Sequence, residues 1–246
     1  MSASKPINAK DARGQVFAAM KSALEPFRDN NAKAQVQERL SASAPTLIPA
    51  RADLDSKGRV ELFIEQAMRV QTDVDRIDTY ADMPGVIADY LRRHNLPMRL
   101  VIAGDDRLVS TDWSESLIEV KTSSPDPDDP VGLTTAFAGI AETGTLMLTS
   151  DRDHPTMLAF LPETAIVVVP TDRIARAYED VMHAFRKGGQ PLSRSINLIT
   201  GPSRSGDIEQ TLQLGAHGPK RLLILLVNQE SDEEPIPDID VSDLTT

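Results

Sequence analysis

The apolar positions of this chain change period more than once, and the changes divide it. Between Asn8 and Glu25, Val16, Phe17, Met20 and Leu24 recur at helical spacing, and Pro26 stops the pattern. Residues 28–58 carry no sustained apolar period and include Ser41-Ala42-Ser43-Ala44-Pro45, the composition of a linker, with Ala32–Leu40 as an exposed helix. The first 58 residues therefore read as a helical arm outside the main core, with an apolar face open to a neighbouring subunit. From residue 59 to 228 the pattern predicts one α/β domain. Val60, Phe63, Ile64, Ala67 and Met68 mark an amphipathic helix; strands are expected at Val74–Tyr80, Arg99–Ala103 and Leu117–Lys121, with a helix at Pro84–His94. Residues 123–130 read as an acidic surface turn, and Gly132–Ile140 shows no decisive period. Further strands are expected at Thr145–Thr149, Ala165–Val169, Ile196–Thr200 and Leu222–Val227. A short helix is expected at Pro155–Leu161. Thr171 is expected to cap a longer one, with Ile174, Ala177, Tyr178, Val181 and Phe185 on one face. Strand–helix alternation of this kind argues for a mainly parallel sheet in three layers.

Composition narrows the partners. Of the 246 residues 40% are apolar but only 4% aromatic, so the core is aliphatic, as buried parallel strands require. The net charge is −11, and seven acids between residues 228 and 246, with no Lys or Arg, leave −4 for the body. Residues 229–246 therefore read as an acidic, disordered tail. No basic stripe with interleaved aromatics is present, which argues against nucleic acid. The apolar runs are too short to span a bilayer, and the expected location is the cytoplasm. The chain contains no cysteine, so it supplies neither a thiol nucleophile nor cysteine ligands for an iron–sulfur cluster.

Candidate chemistry concentrates in two places. Gly201-Pro202-Ser203-Arg204-Ser205-Gly206 follows an apolar strand, and free N–H groups at a helix start there would suit a carboxylate or phosphate gripped by Arg204. The same residues also read as a plain strand-to-helix turn capped by Ser203 or Ser205. Asp207 and Glu209 then fall in the first helical turn, with Asp207 placed to pair with Arg204. His217, in Gly215-Ala216-His217-Gly218-Pro219, reads either as an acid–base or ligand contact or as a histidine bonded to backbone. Glu142, in Ala141-Glu142-Thr143-Gly144-Thr145, reads as a nucleophile or base at a strand edge, or as a turn glutamate capped by hydroxyls. His154, before Pro155, reads as a helix N-terminal residue. His94 and His183 lack metal-ligand spacing, and no metal site is expected.

Two blocks of the chain resemble the lactate-utilisation protein C family, whose members carry a LUD domain. One is Gly132-Leu133-Thr134 with Ala141–Thr145; the other runs from Asn197 to Arg221 through Gly201-Pro202-Ser203-Arg204, Asp207-Ile208-Glu209-Gln210 and His217-Gly218-Pro219. His154-Pro155 and Ala165–Pro170 also fit the pattern. Some relatives carry an acid where this chain has Thr135-Ala136-Phe137-Ala138. The resemblance implies a fold like the NagB, ribose-5-phosphate isomerase and CoA-transferase group. It also implies a part in oxidising L-lactate to pyruvate beside iron–sulfur partner proteins, with no cofactor on this chain. The expected function is thus a non-redox subunit binding a small carboxylate or phosphate, possible as a homo-oligomer. Glu142 and His217 are its catalytic candidates, and Thr143, Gly144, Thr145, Gly201–Ser205, Asp207 and Gly218 its ligand-binding candidates. The alternative is a free-standing CoA-transferase-like enzyme with Glu142 as nucleophile.

Overall fold

The computed structural model describes residues 9–25, 31–41, 48–188, 193–205, 213–228 and 236–239. Two compact units emerge, residues 1–46 with 240–246, and residues 47–239. In the first unit, α1 (Ala9–Leu24) and α2 (Ala32–Ser41) form the two helices, and Val16, Phe17, Met20 and Leu24 of α1 are exposed. No described helix is long and apolar enough to cross a membrane.

The second unit is built on six parallel strands. These are β1 (Asp73–Ile77), β2 (Arg99–Ile102), β3 (Glu119–Thr122), β4 (Val131–Thr135), β7 (Thr164–Pro170) and β12 (Arg221–Val227). They lie in the order β1-β12-β7-β4-β2-β3. The central pair, Thr-Ala-Ile-Val-Val-Val-Pro and Arg-Leu-Leu-Ile-Leu-Leu-Val, is nearly free of polar side chains because both faces are covered. Ile166, Val168, Leu223 and Leu225 face α4 (Met83–Arg93), meeting Met83, Ile87 and Leu91. Val167, Val169, Ile224 and Leu226 face the other way, onto Val60, Phe63 and Ala67 of α3 (Ser56–Arg69). Asp55 caps α3 by accepting the Gly58 N–H at 2.7 Å.

A second, four-stranded sheet shares that face with α3. It contains β5 (Ala138–Ile140), β6 (Thr145–Thr149), β8 (Ile174–Ala175) and β9 (Ile196–Ile199), in the order β8-β5-β6-β9. Leu146 and Leu148 point to the main sheet, while Ala138, Ile140 and Met147 point outward onto Val181 and Phe185 of α6 (Tyr178–Lys187). The expected α/β architecture with a mainly parallel sheet is present, and this small sheet adds to it. Gly132–Ile140, which shows no decisive period, is two strands joined at a bend, β4 in one sheet and β5 in the other. Burial on both faces of each removes the alternation a surface strand would show.

Two expectations are corrected. Thr171 does not cap a long helix: residues 171–173 form a single 3₁₀ turn, Ile174–Ala175 pair with β5, and the helix starts at Tyr178. The cap is Asp180, whose carboxylate accepts the Ala177 N–H at 3.0 Å. Ile174 falls at helical spacing from the α6 residues in sequence, yet it buries with Phe63 on the main-sheet side, while Val181 and Phe185 pack on the outer face of the small sheet. Secondly, Arg204–Ser205 is not a helix start but a short strand, β10, paired antiparallel with β11 (Gln213–Leu214). The Ser203 N–H donates to Pro219 O and the Gly215 N–H to Ser203 O, which ties the two strands to the neighbouring turn; the helical turn expected at Asp207 and Glu209 lies outside the described residues. Within the acidic stretch after residue 228, residues 236–239 are packed: Ile236 and Ile239 are buried, and the Ile239 N–H donates to Asp180 at 3.0 Å. Ile236 and Ile239, three positions apart in a non-helical, acidic stretch, supply the apolar surface for that docking.

Two glycines give opposite expectations. Gly144 has φ +65°, and a Cβ there would lie 2.3 Å from the backbone N of Ala67. Gly85 sits in α4 with open space where a Cβ would go. Gly144→Ala is expected to cost about 2 kcal/mol or more, from left-handed backbone strain plus forced separation of β6 from α3. Gly85→Ala should stabilise by about 0.5–1 kcal/mol. Urea unfolding of both variants checks the pair; equal midpoints would contradict the Gly144 contact.

Candidate functional site

At the carboxyl end of the main sheet the chain leaves β2 toward β3 but leaves β4 toward β7, on the opposite side. Neighbouring strands whose connections diverge leave a crevice between them, the usual ligand position in open α/β sheets. Polar residues that follow these strands meet there. Asp105 follows β2 and caps a one-turn helix, α5 (Asp106–Val109), by accepting the Arg107 N–H at 2.9 Å. Thr135 ends β4. His154 lies in the loop after β6, where Asp151 folds back on it by accepting the backbone N–H groups of Asp153 and His154 at 2.8 and 2.7 Å. The Gly104 N–H donates to Asp153 O at 2.7 Å, which ties the β2 and β6 loops together.

The His154 ring is held on both edges by carboxylates. Nδ1 is 2.9 Å from Asp151 Oδ1, and Nε2 is 3.2 Å from Asp105 Oδ2. Thr135 Oγ1 donates to Asp105 Oδ2 at 2.8 Å and lies 3.0 Å from His154 Nε2. The Arg107 guanidinium meets Asp105 with two nitrogens, Nε at 3.0 Å and Nη2 at 2.7 Å. Asp105 is buried. Burial alone would push its carboxyl up, but His154, Arg107 and Thr135 together hold it well below the usual carboxylate range. The hydrogen bond to Asp105 raises the His154 pKa against the opposing effect of burial, and Asp151 adds to the rise. For Asp151, too, burial works upward and is outweighed by the bonds from His154, so its pKa is lowered.

His154, Thr135 and Arg107 line a cavity of about 850 Å³. Arg152 and Arg194 add positive charge at its wall, and Ser150, Ser195 and Thr156 add hydroxyls. Ala136, Phe137 and Phe185 make an apolar side, with the two rings edge to face at 5.5 Å between centroids. Arg173, buried beneath, stacks over Phe137 at 4.7 Å and donates Nε–H to its carbonyl. Among the described residues no group of His, Asp and Glu is arranged to hold a metal ion. Asp105 and Asp151 grip opposite edges of the imidazole, so the three side chains do not converge on one point.

Most residues singled out from the sequence lie elsewhere. Gly201, Pro202, Ser203, Arg204, His217 and Gly218 come together around a second cavity of about 450 Å³, whose apolar wall includes Val70, Phe160 and Leu198. The Arg204 Nη2 group donates to Val70 O at 3.3 Å and to the Gln71 side chain, fastening the hairpin to the end of α3. Glu142 is not among the residues lining that cavity. It is buried in the β5–β6 turn and its Oε1 accepts from Arg51 at 2.7 Å. Thr143 and Thr145 are part of a hydroxyl cluster with Tyr178, and Thr145 reaches Thr200 at 2.7 Å, the link between that turn and the second cavity. Gly144 packs against α3. Ser205 lies on β10, while Asp207 and Glu209 fall outside the described residues. His154 is not a helix N-terminal residue but the centre of the polar cluster. Its partners lie far away in sequence, so no spacing rule reveals them; polar residues placed directly after buried strands are the only signal.

Residues 129–227 match the family model described as the LUD domain. This stretch is similar to a LUD domain. It contains β4 to β12 and therefore Thr135 and His154, whereas Asp105 and Arg107 precede it. The chain is similar to lactate utilization protein C of Anoxybacillus flavithermus, at 35% identity over 97 residues, covering 39% of this chain and 43% of that protein. It is also similar to lactate utilization protein C of Bacillus subtilis, at 37% over 101 residues, 40% of this chain and 42% of that one. The match thus spans less than half the length of these curated relatives. The fold resembles the crystal structure of a DUF162 family protein from Deinococcus radiodurans, with a TM-score of 0.52 and 23% identity, covering 71% of this chain and 99% of that one.

The cluster predicts a pH signature. Because folding raises the His154 pKa, its stabilising contribution is complete below the ordinary histidine value of about 6.5 and is lost as pH rises through the folded-state value. The lowered pKa values of Asp105 and Asp151 work the other way, present above about 3.9 and lost as pH falls through their folded values. His154→Gln should therefore cost most near pH 6, on the order of 2 kcal/mol for charge-assisted hydrogen bonds. The difference in Tm from wild type should shrink as the pH is raised. A difference that stays flat or widens toward alkaline pH would show that His154 folds as the neutral ring.

Proposed function

We propose that this chain serves lactate utilisation as a non-redox component that binds a small organic anion in the cavity around His154. The observation that carries the reading is the placement of His154, Arg107, Arg152 and Arg194 on one crevice of an otherwise acidic chain. Hydroxyls beside those cations supply donors for a carboxylate or phosphate, and the phenylalanine side accepts the carbon skeleton. Similarity to lactate utilization protein C supports the process. With no cysteine in the chain, electron transfer through iron–sulfur clusters falls to partner proteins in this reading. The acyl-carrier alternative draws no support from Glu142, which is ion-paired to Arg51 and lines neither of the two cavities described.

Deleting the gene and measuring growth on L-lactate as the carbon source tests the process. Growth should fail, wild type should restore it, and His154→Gln at equal protein level should not. Normal growth of the deletion strain on lactate would overturn the assignment. Full rescue by His154→Gln would remove the cavity from it.

A further inference from the structure

We propose that the His154 cavity prefers an organic dianion, a phosphomonoester or a dicarboxylate, over a monocarboxylate such as lactate. The inference deepens the anion-binding reading above and rests on it. Charge balance carries it. Four cationic groups, Arg107, Arg152, Arg194 and His154, line the cavity. His154 counts among them because a carboxylate faces each ring nitrogen, an arrangement that favours a proton on both. Against them stand two carboxylates, Asp105 and Asp151. Asp105 is answered by Arg107 and Asp151 by His154. Arg152 and Arg194 remain at the wall, and neither forms an ion pair among the described residues. The other acid of the turn, Asp153, lies against Gly104 and is not part of the lining.

A ligand that restores neutrality here carries two negative charges. A monocarboxylate would leave one guanidinium unmatched, and like-signed groups held near one another repel. Size points the same way. A cavity of about 850 Å³ is in the range that encloses ligands far larger than a three-carbon acid. His154, with both ring nitrogens engaged, acts as a fixed positive charge and as the brace that orients Thr135. It does not donate a proton to the ligand.

Isothermal titration calorimetry on the full chain near neutral pH and at low salt tests this, with L-lactate, succinate and glycerol 3-phosphate as separate probes. At least one dianion should bind about tenfold or more tightly than lactate, and which of the two is tighter separates phosphoryl from dicarboxylate recognition. Arg152→Gln and Arg194→Gln, both exposed and outside the core, should each weaken the dianion about tenfold and leave Tm close to wild type. Lactate binding as tightly as either dianion would overturn the preference while leaving the anion-binding reading intact. No heat from any of the three probes would overturn both.

Discussion

Two strands with no polar face set the terms for everything else in the domain. β7 and β12 are aliphatic on both sides, and water must be kept from both sides at once. Parallel pairing makes this possible, because every connection between parallel strands must cross a face of the sheet and can cover it. α4, between β1 and β2, covers one face. On the other face α3 covers only part, and the connection from β4 to β7 completes the cover with strands in place of a helix, the β5–β6 hairpin. The small sheet is thus a lid over the core, built from a crossover. Its own outer face needs a further cover, which α6 and Ile236 provide.

That arrangement explains which parts of the fold are legible in the sequence. Helices with one dry face, α3 and α4, announce themselves by period, and so does the aliphatic run of β12. β6 is readable because turn residues bound it on both sides. The boundary between β4 and β5 is not readable, because both strands are buried along their whole length and the bend between them exposes no residue fully. Ile174 misleads because a two-residue strand and the following helix carry apolar residues at helical spacing while burying them on opposite faces of the small sheet. Local pattern reports burial; it does not report what does the burying.

The candidate site shows the same limit more sharply. Glycine and proline turns draw the eye to residues 201–204 and 215–219, and those residues do converge, around an apolar hollow fastened by Arg204. The charged cavity forms instead from single polar residues far apart in sequence, Asp105 and His154 on two loops and Thr135 at the end of β4. What unites them is only that each follows a strand of the same end of the structure or its lid. Glu142 illustrates the converse. A carboxylate in a conspicuous turn is held by a distant arginine at the start of the domain, Arg51, and contributes to the closure of the β5–β6 turn.

The position of β12 also bears on how the protein is made. It is the last strand of the sheet in sequence, yet it inserts between β1 and β7, so that Asp73 finds Leu223 and Ala165 finds Leu222. Until residue 227 leaves the ribosome, the nascent domain holds a slot at its centre with a bare aliphatic edge on one side. Closing it requires contacts between the two ends of the domain, which is slow and leaves the edges open to other chains. The ion pair of Lys220 with Glu163, beside the entry of both central strands, puts charge next to the sequences most prone to such mispairing. The strand that makes the core dry is therefore also the one that decides when the chain stops being vulnerable.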